Sequence, residues 1–220
     1  MTITPLVQPR AAVAQTGQRG GVAGTERIIS VLFVDLRGST KLGQARLPYD
    51  VLFILNQFFS EMASSLQVTH GHYAQFNGDG LMAIYGRDGA VREGARAALR
   101  GGLEMLKRLD SLNQHLSNEL TEPLRIGVGI HTGEAIVGTM GPPDSPIFSA
   151  IGDNINVAAR LEGMTKELGC PIVVSADTIV RAELSAADLR TENIPIRGRT
   201  GDFPVYAIDD PTVLDRQLAH

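Results

Sequence analysis

The apolar pattern opens at residues 28–36, IISVLFVDL, a β-branched run of strand length with one carboxylate near its end. Such a run reads as a central strand buried on both faces. The turn-like RGST follows. After Pro48, apolar residues recur at Leu52, Leu55, Phe59, Met62 and Leu66, the spacing of one helix face with proline in its first turn. Residues 72–85, HYAQFNGDGLMAIY, divide into two short strands around Asn77-Gly78-Asp79-Gly80, because Asn-Gly and Asp-Gly favour tight hairpin turns. A longer helix is predicted over about 90–116, with Val91, Ala95, Leu99, Leu106, Leu109, Leu112 and Leu116 on one stripe and Arg, Glu and Lys opposite. Strands are expected at 124–131 and 135–138, then a loop through Pro142, Pro143 and Pro146, then a helix over 153–168. Short strands near 171–175, 194–197 and 203–208 close the pattern. This mixed order predicts an α+β domain in which helices are layered on a sheet.

Ahead of the pattern, residues 1–25 are rich in Ala, Gly, Gln, Thr and Pro and poor in large apolar side chains. They read as an arm or linker: either a free terminus or the stub of an attached sensor or membrane domain. Residues 26–220 hold the domain. The chain's 220 residues, 43% hydrophobic and 20% charged, suffice for one domain with its own core. A net charge of −4 argues against a nucleic-acid partner held by a broad basic surface. One cysteine excludes a disulfide framework, and the sequence has no Cys/His zinc cluster. No run approaches the roughly 18 apolar residues of a membrane span, and no compact apolar signal core precedes the domain, so a cytoplasmic location is expected.

Three places could carry chemistry. Asp35 ends an intensely apolar strand, where a carboxylate is costly unless paired or bound to a cation. Read alone, it serves equally well as a turn or capping residue. Asp79 sits at the hairpin tip, where aspartate is common for its turn propensity alone. Taken together, the two carboxylates lie at strand ends without a local Lys or Arg pattern, and hard oxygen donors of this kind suit Mg²⁺ or Mn²⁺. The third place is GDNINVAARLEGM, where Asn156 and Arg160 stand four apart on one helix face slimmed by Ala158, Ala159 and Gly163. An amide and a guanidinium there fit a phosphate or ribose site; the plainer reading is a solvated face. His70 and His72 flank a glycine at a helix-to-strand turn, which speaks against a metal pair. His131 reads as a structural hydrogen bonder and Cys170 as a small buried side chain. Phe53, Phe58 and Phe59 read as core or dimer packing.

FVDLRGST, FNGDGLMAIYG and FSAIGDNINVAARLE, in this order and spacing, resemble the catalytic domain of class III adenylate/guanylate cyclases over about residues 28–208. The resemblance implies a ferredoxin-like, polymerase-palm-like βαββαβ core sheet with flanking helices, and a head-to-tail homodimer with two active sites at its interface. It implies that Asp35 and Asp79, with the carbonyl of Leu36, hold two Mg²⁺ or Mn²⁺ ions. The amides of Arg37, Gly38, Ser39 and Thr40 would cradle the β- and γ-phosphates. Asn156 and Arg160 would arrive from the other subunit, one orienting the ribose and the other neutralising the α-phosphate in the transition state. Arg197 or Arg199, in IRGRT, would contact the terminal phosphates. The implied reaction converts ATP to 3′,5′-cyclic AMP and pyrophosphate.

The sequence departs from the family pattern where the base is read. The lysine that family adenylate cyclases often carry four residues before the second metal aspartate is replaced by Gln75. The partner position, commonly Asp or Thr, is Ser149. Both side chains donate and accept hydrogen bonds, so the pair fits either purine. ATP is the expected substrate and GTP the alternative, with a base-promiscuous enzyme also possible on these residues. A catalytically silent nucleotide-binding module is the rival from another class, and Gln75 is the feature that leaves it open. A cyclic-dinucleotide synthase is disfavoured because no GGDEF-like hairpin is present, and a P-loop NTPase because no GxxxxGK[ST] occurs.

Overall fold

The computed structural model describes residues 24–142, 144, 146–196 and 201–219. The predicted central strand is β1, Gly24–Arg37. A short helix α1, Ser39–Ala45, and a long helix α2, Pro48–Thr69, lead to the hairpin β2, His72–Asn77, and β3, Gly80–Tyr85. Helix α3, Val91–His115, returns to β4, Arg125–Met140, which is hairpinned to β5, Ile147–Ile151. The remainder is α4, Asp153–Leu168; β6, Ile172–Ser175; α5, Ala176–Arg181; β7, Arg190–Pro195; β8, Asp202–Ile208; and α6, Pro211–Leu218.

The strands form one sheet in the order β2-β3-β1-β4-β6-β8-β7, with β5 on β4. β1 lies between β3 and β4, antiparallel to both, and β2 flanks β3. β1, α2, β2, β3, α3 and β4 thus make the expected βαββαβ unit, extended by a parallel β4–β6 pair and the β8–β7 hairpin.

Alternation along β1 assigns its two faces. Leu32, Val34 and Leu36 enter the core shared with α2 and α3, including Phe58, Met62, Leu99 and Leu109. Ile29 and Val31 enter the opposite core, which is covered by Ala158 of α4. Asp35 and Arg37 share that second face by the strand's period of two. The α2 stripe is rotated from the expected one. Ile54, Phe58, Met62 and Leu66 are buried, whereas Leu52 and Phe53 are half exposed, because α3 covers the helix from one side only. Phe59 packs at the margin, its ring 5.4 Å from that of Phe58.

Three local expectations change. RGST is not simply a turn: Gly38, at φ 77°, starts α1, and Leu42 packs on the core. The two strands expected at 124–131 and 135–138 are one, because Thr132 between them is satisfied inside and Gly133 and Glu134 continue the register with β1. Thr132 bonds Ser30 at 2.7 Å, and His131 Nδ1 meets Ser175 Oγ at 2.8 Å. β5, α5 and α6 are additional to the sequence expectation. Cys170 is buried, its Sγ on the carbonyl of Ile172. Among the described residues no helix is long and apolar enough to cross a membrane.

Candidate active site

Asp35 sits at the centre of a row across three strands. Its register partners are Gly80 on β3 and Gly127 on β4. Both neighbours lack a side chain; Asp35 itself leans over Gly80, and side chains of α4 fill the space over Gly127. A Cβ at Gly80 would lie 2.7 Å from Asp35 Oδ1 and 2.5 Å from the carbonyl of Val34, so the Asp35 side chain occupies the space over Gly80. Asp79 precedes Gly80 in the hairpin turn, and the two carboxyl groups are within hydrogen-bonding contact. Burial, together with the charge and hydrogen bond of Asp79, pushes the Asp35 carboxyl up to about 6. Leu36 turns its side chain into the opposite core, leaving its backbone beside the pair.

The segment after Asp35 is less uniform than the sequence suggests. Arg37 is still a strand residue, paired with Arg125, and its side chain turns back: Nη2 donates to the Cys170 carbonyl at 2.6 Å, and Nε is buried without a hydrogen-bond partner. Gly38, Ser39 and Thr40 open α1, which has no side-chain cap, so its first amide groups are left for a ligand or solvent.

Asn156 and Arg160 are exposed on α4, where they line an open cavity of about 530 Å³ with Asp153, Pro195 and Ile196. Arg160 is paired with Glu167 at 3.2 Å. The walls of this cavity do not include Asp35 or Asp79. A single chain therefore presents two groups of candidate residues rather than one closed site. Arg197 and Arg199 lie outside the described residues, next in sequence to Ile196.

Gln75 is exposed on β2, beside a register shift between Tyr73 and Gln75, and Ser149 is buried on β5. Their strands meet where the His72 ring stands edge-on to Phe148 at 4.8 Å, and Arg87 stacks over the same Phe148 ring at 5.1 Å. His72 is held below its usual range by burial and by the Arg87 charge. His70 caps α2 in a left-handed conformation.

Sequence reasoning missed two residues. Arg125 is exposed at the start of β4, adjacent to Arg37 at the strand ends. Glu162 lies on the inner face of α4, with Oε1 2.8 Å from the place a Cβ at Gly127 would take. Burial, then the Asp35 charge, pushes its carboxyl up to about 7; Arg37 opposes this and Asp79 adds to it. The motif AARLE contains Glu162, but only the β1–β4 register shows what it faces.

Residues 22–210 match the family model of the adenylate and guanylate cyclase catalytic domain. The chain is 27% identical over 194 residues to adenylate cyclase 1 of Rhizobium meliloti, covering 88% of this chain and 29% of that protein. It is 29% identical over 196 residues to an adenylate cyclase of Anabaena cylindrica, covering 86% and 38%. It thus spans only about three to four tenths of these relatives. The crystal structure of the guanylyl cyclase Cya2 superposes with a TM-score of 0.76 at 27% identity, over 84% of this chain and 92% of that one. The adenylyl cyclase CyaB from P. aeruginosa gives 0.73 at 25%, over 84% and 94%. With the βαββαβ sheet and the matched motifs, these likenesses mean that the chain belongs to the adenylate and guanylate cyclase catalytic domain family.

Proposed function

We propose that this domain is a purine nucleotide cyclase that works as a homodimer and converts ATP to 3′,5′-cyclic AMP and pyrophosphate. The observation that carries this reading is that Asp79, next to Gly80 in the hairpin, lies close enough to the half-buried Asp35 for the two carboxylates to repel each other. Dependence on a divalent metal is typical of the family. The donor set fits such a cation: two hard, mutually repelling oxygen groups, with the Leu36 carbonyl next in the chain. Bound there, two Mg²⁺ or Mn²⁺ ions would supply positive charge to the triphosphate and acidify the ribose 3′-hydroxyl.

The remaining work falls to the chain. The 3′-oxygen attacks the α-phosphorus of the same nucleotide, losing its proton, and pyrophosphate leaves in line. The open amides at Gly38, Ser39 and Thr40, and the backbone of Arg37, receive the β- and γ-phosphates. Arg197 or Arg199 neutralises the terminal phosphates. Asn156 and Arg160 of a second copy orient the ribose and stabilise charge on the α-phosphate. A second copy is needed because, within one chain, the cavity lined by Asn156 and Arg160 does not include the aspartates. Gln75 and Ser149 face the purine edge from the touching strands β2 and β5.

GTP is the second reading. Gln75 and Ser149 can present either hydrogen-bond pattern, and Cya2, a guanylyl cyclase, superposes well. Purified protein incubated separately with ATP, GTP, CTP and UTP, each with Mg²⁺ and with Mn²⁺, and analysed for products by mass, tests both readings. Cyclic AMP as the main product is expected. Cyclic GMP as the main product would move the assignment to the second reading. The absence of any cyclic product at high protein concentration would overturn both in favour of a silent nucleotide-binding module.

A further inference from the structure

Across the sheet, Gly80, Asp35 and Gly127 form one row, and the spaces over the two glycines are filled differently. Asp35 Oδ1 occupies the space over Gly80 and so leans toward Asp79. The space over Gly127, on the other side of Asp35, is shared by two side chains of α4, Thr165 Oγ1 and Glu162 Oε1, and of the two only Glu162 carries a charge. α4 can place the glutamate there because β4 is bare beneath it: a Cβ at Gly129 would meet the Glu162 backbone itself. The charges that act on Glu162 are Asp35, Asp79 and Arg37. Arg37 is in turn tethered to the Cys170 carbonyl just beyond the end of α4.

We propose that Glu162 is a positioning residue for the cation-holding pair: it closes the β4 side of Asp35, keeps that carboxylate turned toward Asp79, and adds a negative charge behind both. Among the described residues it does not complete a group of three acidic or imidazole side chains arranged to hold a metal. Its effect is exerted through Asp35. This rests on the reading of Asp35 and Asp79 as cation ligands. It also gives α4 two tasks. Glu162 serves the aspartates of its own chain, while Asn156 and Arg160, on the solvent side of the same helix, serve those of a second copy.

The test is a titration of the nucleotide-free protein with Mn²⁺ at pH about 8, followed by the electron paramagnetic resonance of the free ion, together with the metal dependence of turnover. Glu162→Gln keeps the shape and removes the charge. It is expected to weaken Mn²⁺ binding about tenfold, in line with the usual weight of groups that orient metal ligands. The metal half-saturation should rise by a similar factor, with kcat at saturating metal within about twofold of the parent by the same argument. Glu162→Asp retains the charge farther from Asp35 and should fall between the two, which keeps the test decisive if the glutamine variant folds poorly. Unchanged Mn²⁺ affinity in both variants would overturn the proposal, as would a lower kcat with unchanged metal dependence, the sign of a packing role. Asp35→Asn should lose Mn²⁺ binding outright. If it binds like the parent, the assignment of the aspartates fails first, and the role of Glu162 with it.

Discussion

Around Asp35 the domain crowds like charges into a half-buried row, whereas around Asn156 and Arg160 it leaves side chains in solvent, with the guanidinium paired to Glu167 at 3.2 Å. The first region is made by long-range register. β3, β1 and β4 must align so that two glycines flank one aspartate, and α4 must press onto bare strand. The second is made by one helix turn, since positions four apart share a face whatever the rest of the chain does. The carboxylate region is therefore unfavourable as it stands and gains from a cation. The Asn156–Arg160 region is comfortable alone and gains only from a partner. On the proposed reading, a site divided in this way is assembled on dimerisation rather than on folding.

Removing the charged pair should have the largest effect. Asp35→Asn or Asp79→Asn is expected to abolish cyclase activity while leaving a folded protein, and to remove the rise in melting temperature that Mn²⁺ gives the parent; a retained Mn²⁺ shift would break the contrast. Arg160→Ala comes next, at roughly 10²–10³ in kcat, the usual weight of a transition-state charge partner. Because Arg160 pairs with Glu167 at the exposed surface, its melting temperature should stay close to that of the parent. A large loss of stability would show that this region is not the separate, solvent-borne element described.

A smaller effect concerns pH. In the folded chain the Asp35 carboxyl is raised from 3.8 to about 6 and the Glu162 carboxyl from 4.5 to about 7. The native state thus keeps protons that the unfolded chain releases. Their contribution to stability is fully present below about pH 4 and is lost as the pH rises through 6 to 7. Without metal, melting temperature is expected to fall over that range, and Asp35→Asn should flatten the fall. Stabilisation by Mn²⁺ should be greater at pH 8 than at pH 5. Thermal melts at both values, with and without the ion, check the sign.

What could be read from the sequence follows the same division. The apolar run ending in Asp35, the Asn-Gly-Asp-Gly hairpin and the α3 and α4 periodicities are local signals, and each produced the element expected. β5 escaped notice because five residues between prolines and a glycine carry little periodicity. A sequence reading divides β4 because Thr132, Gly133 and Glu134 look like a polar break until Ser30 is seen to satisfy Thr132. The resemblance gives Arg37 a role through its amide; that its side chain reaches the Cys170 carbonyl, 133 residues away, only the fold shows. Glu162 cannot be singled out from sequence because its place beside Asp35 depends on Gly127 lying opposite Asp35, a fact of register and not of composition.

A chain carrying Asp35→Ala still supplies Arg160, and one carrying Arg160→Ala still supplies Asp35. Each alone should be inactive. Mixed one to one and allowed to exchange, half the dimers would be hybrids with one intact site of two. About one quarter of the parent's specific activity should return, by the arithmetic of independent subunits joined at a closed two-fold interface. A mixture that stays as inactive as its components, although hybrid dimers are shown to form, would contradict a site divided between two chains.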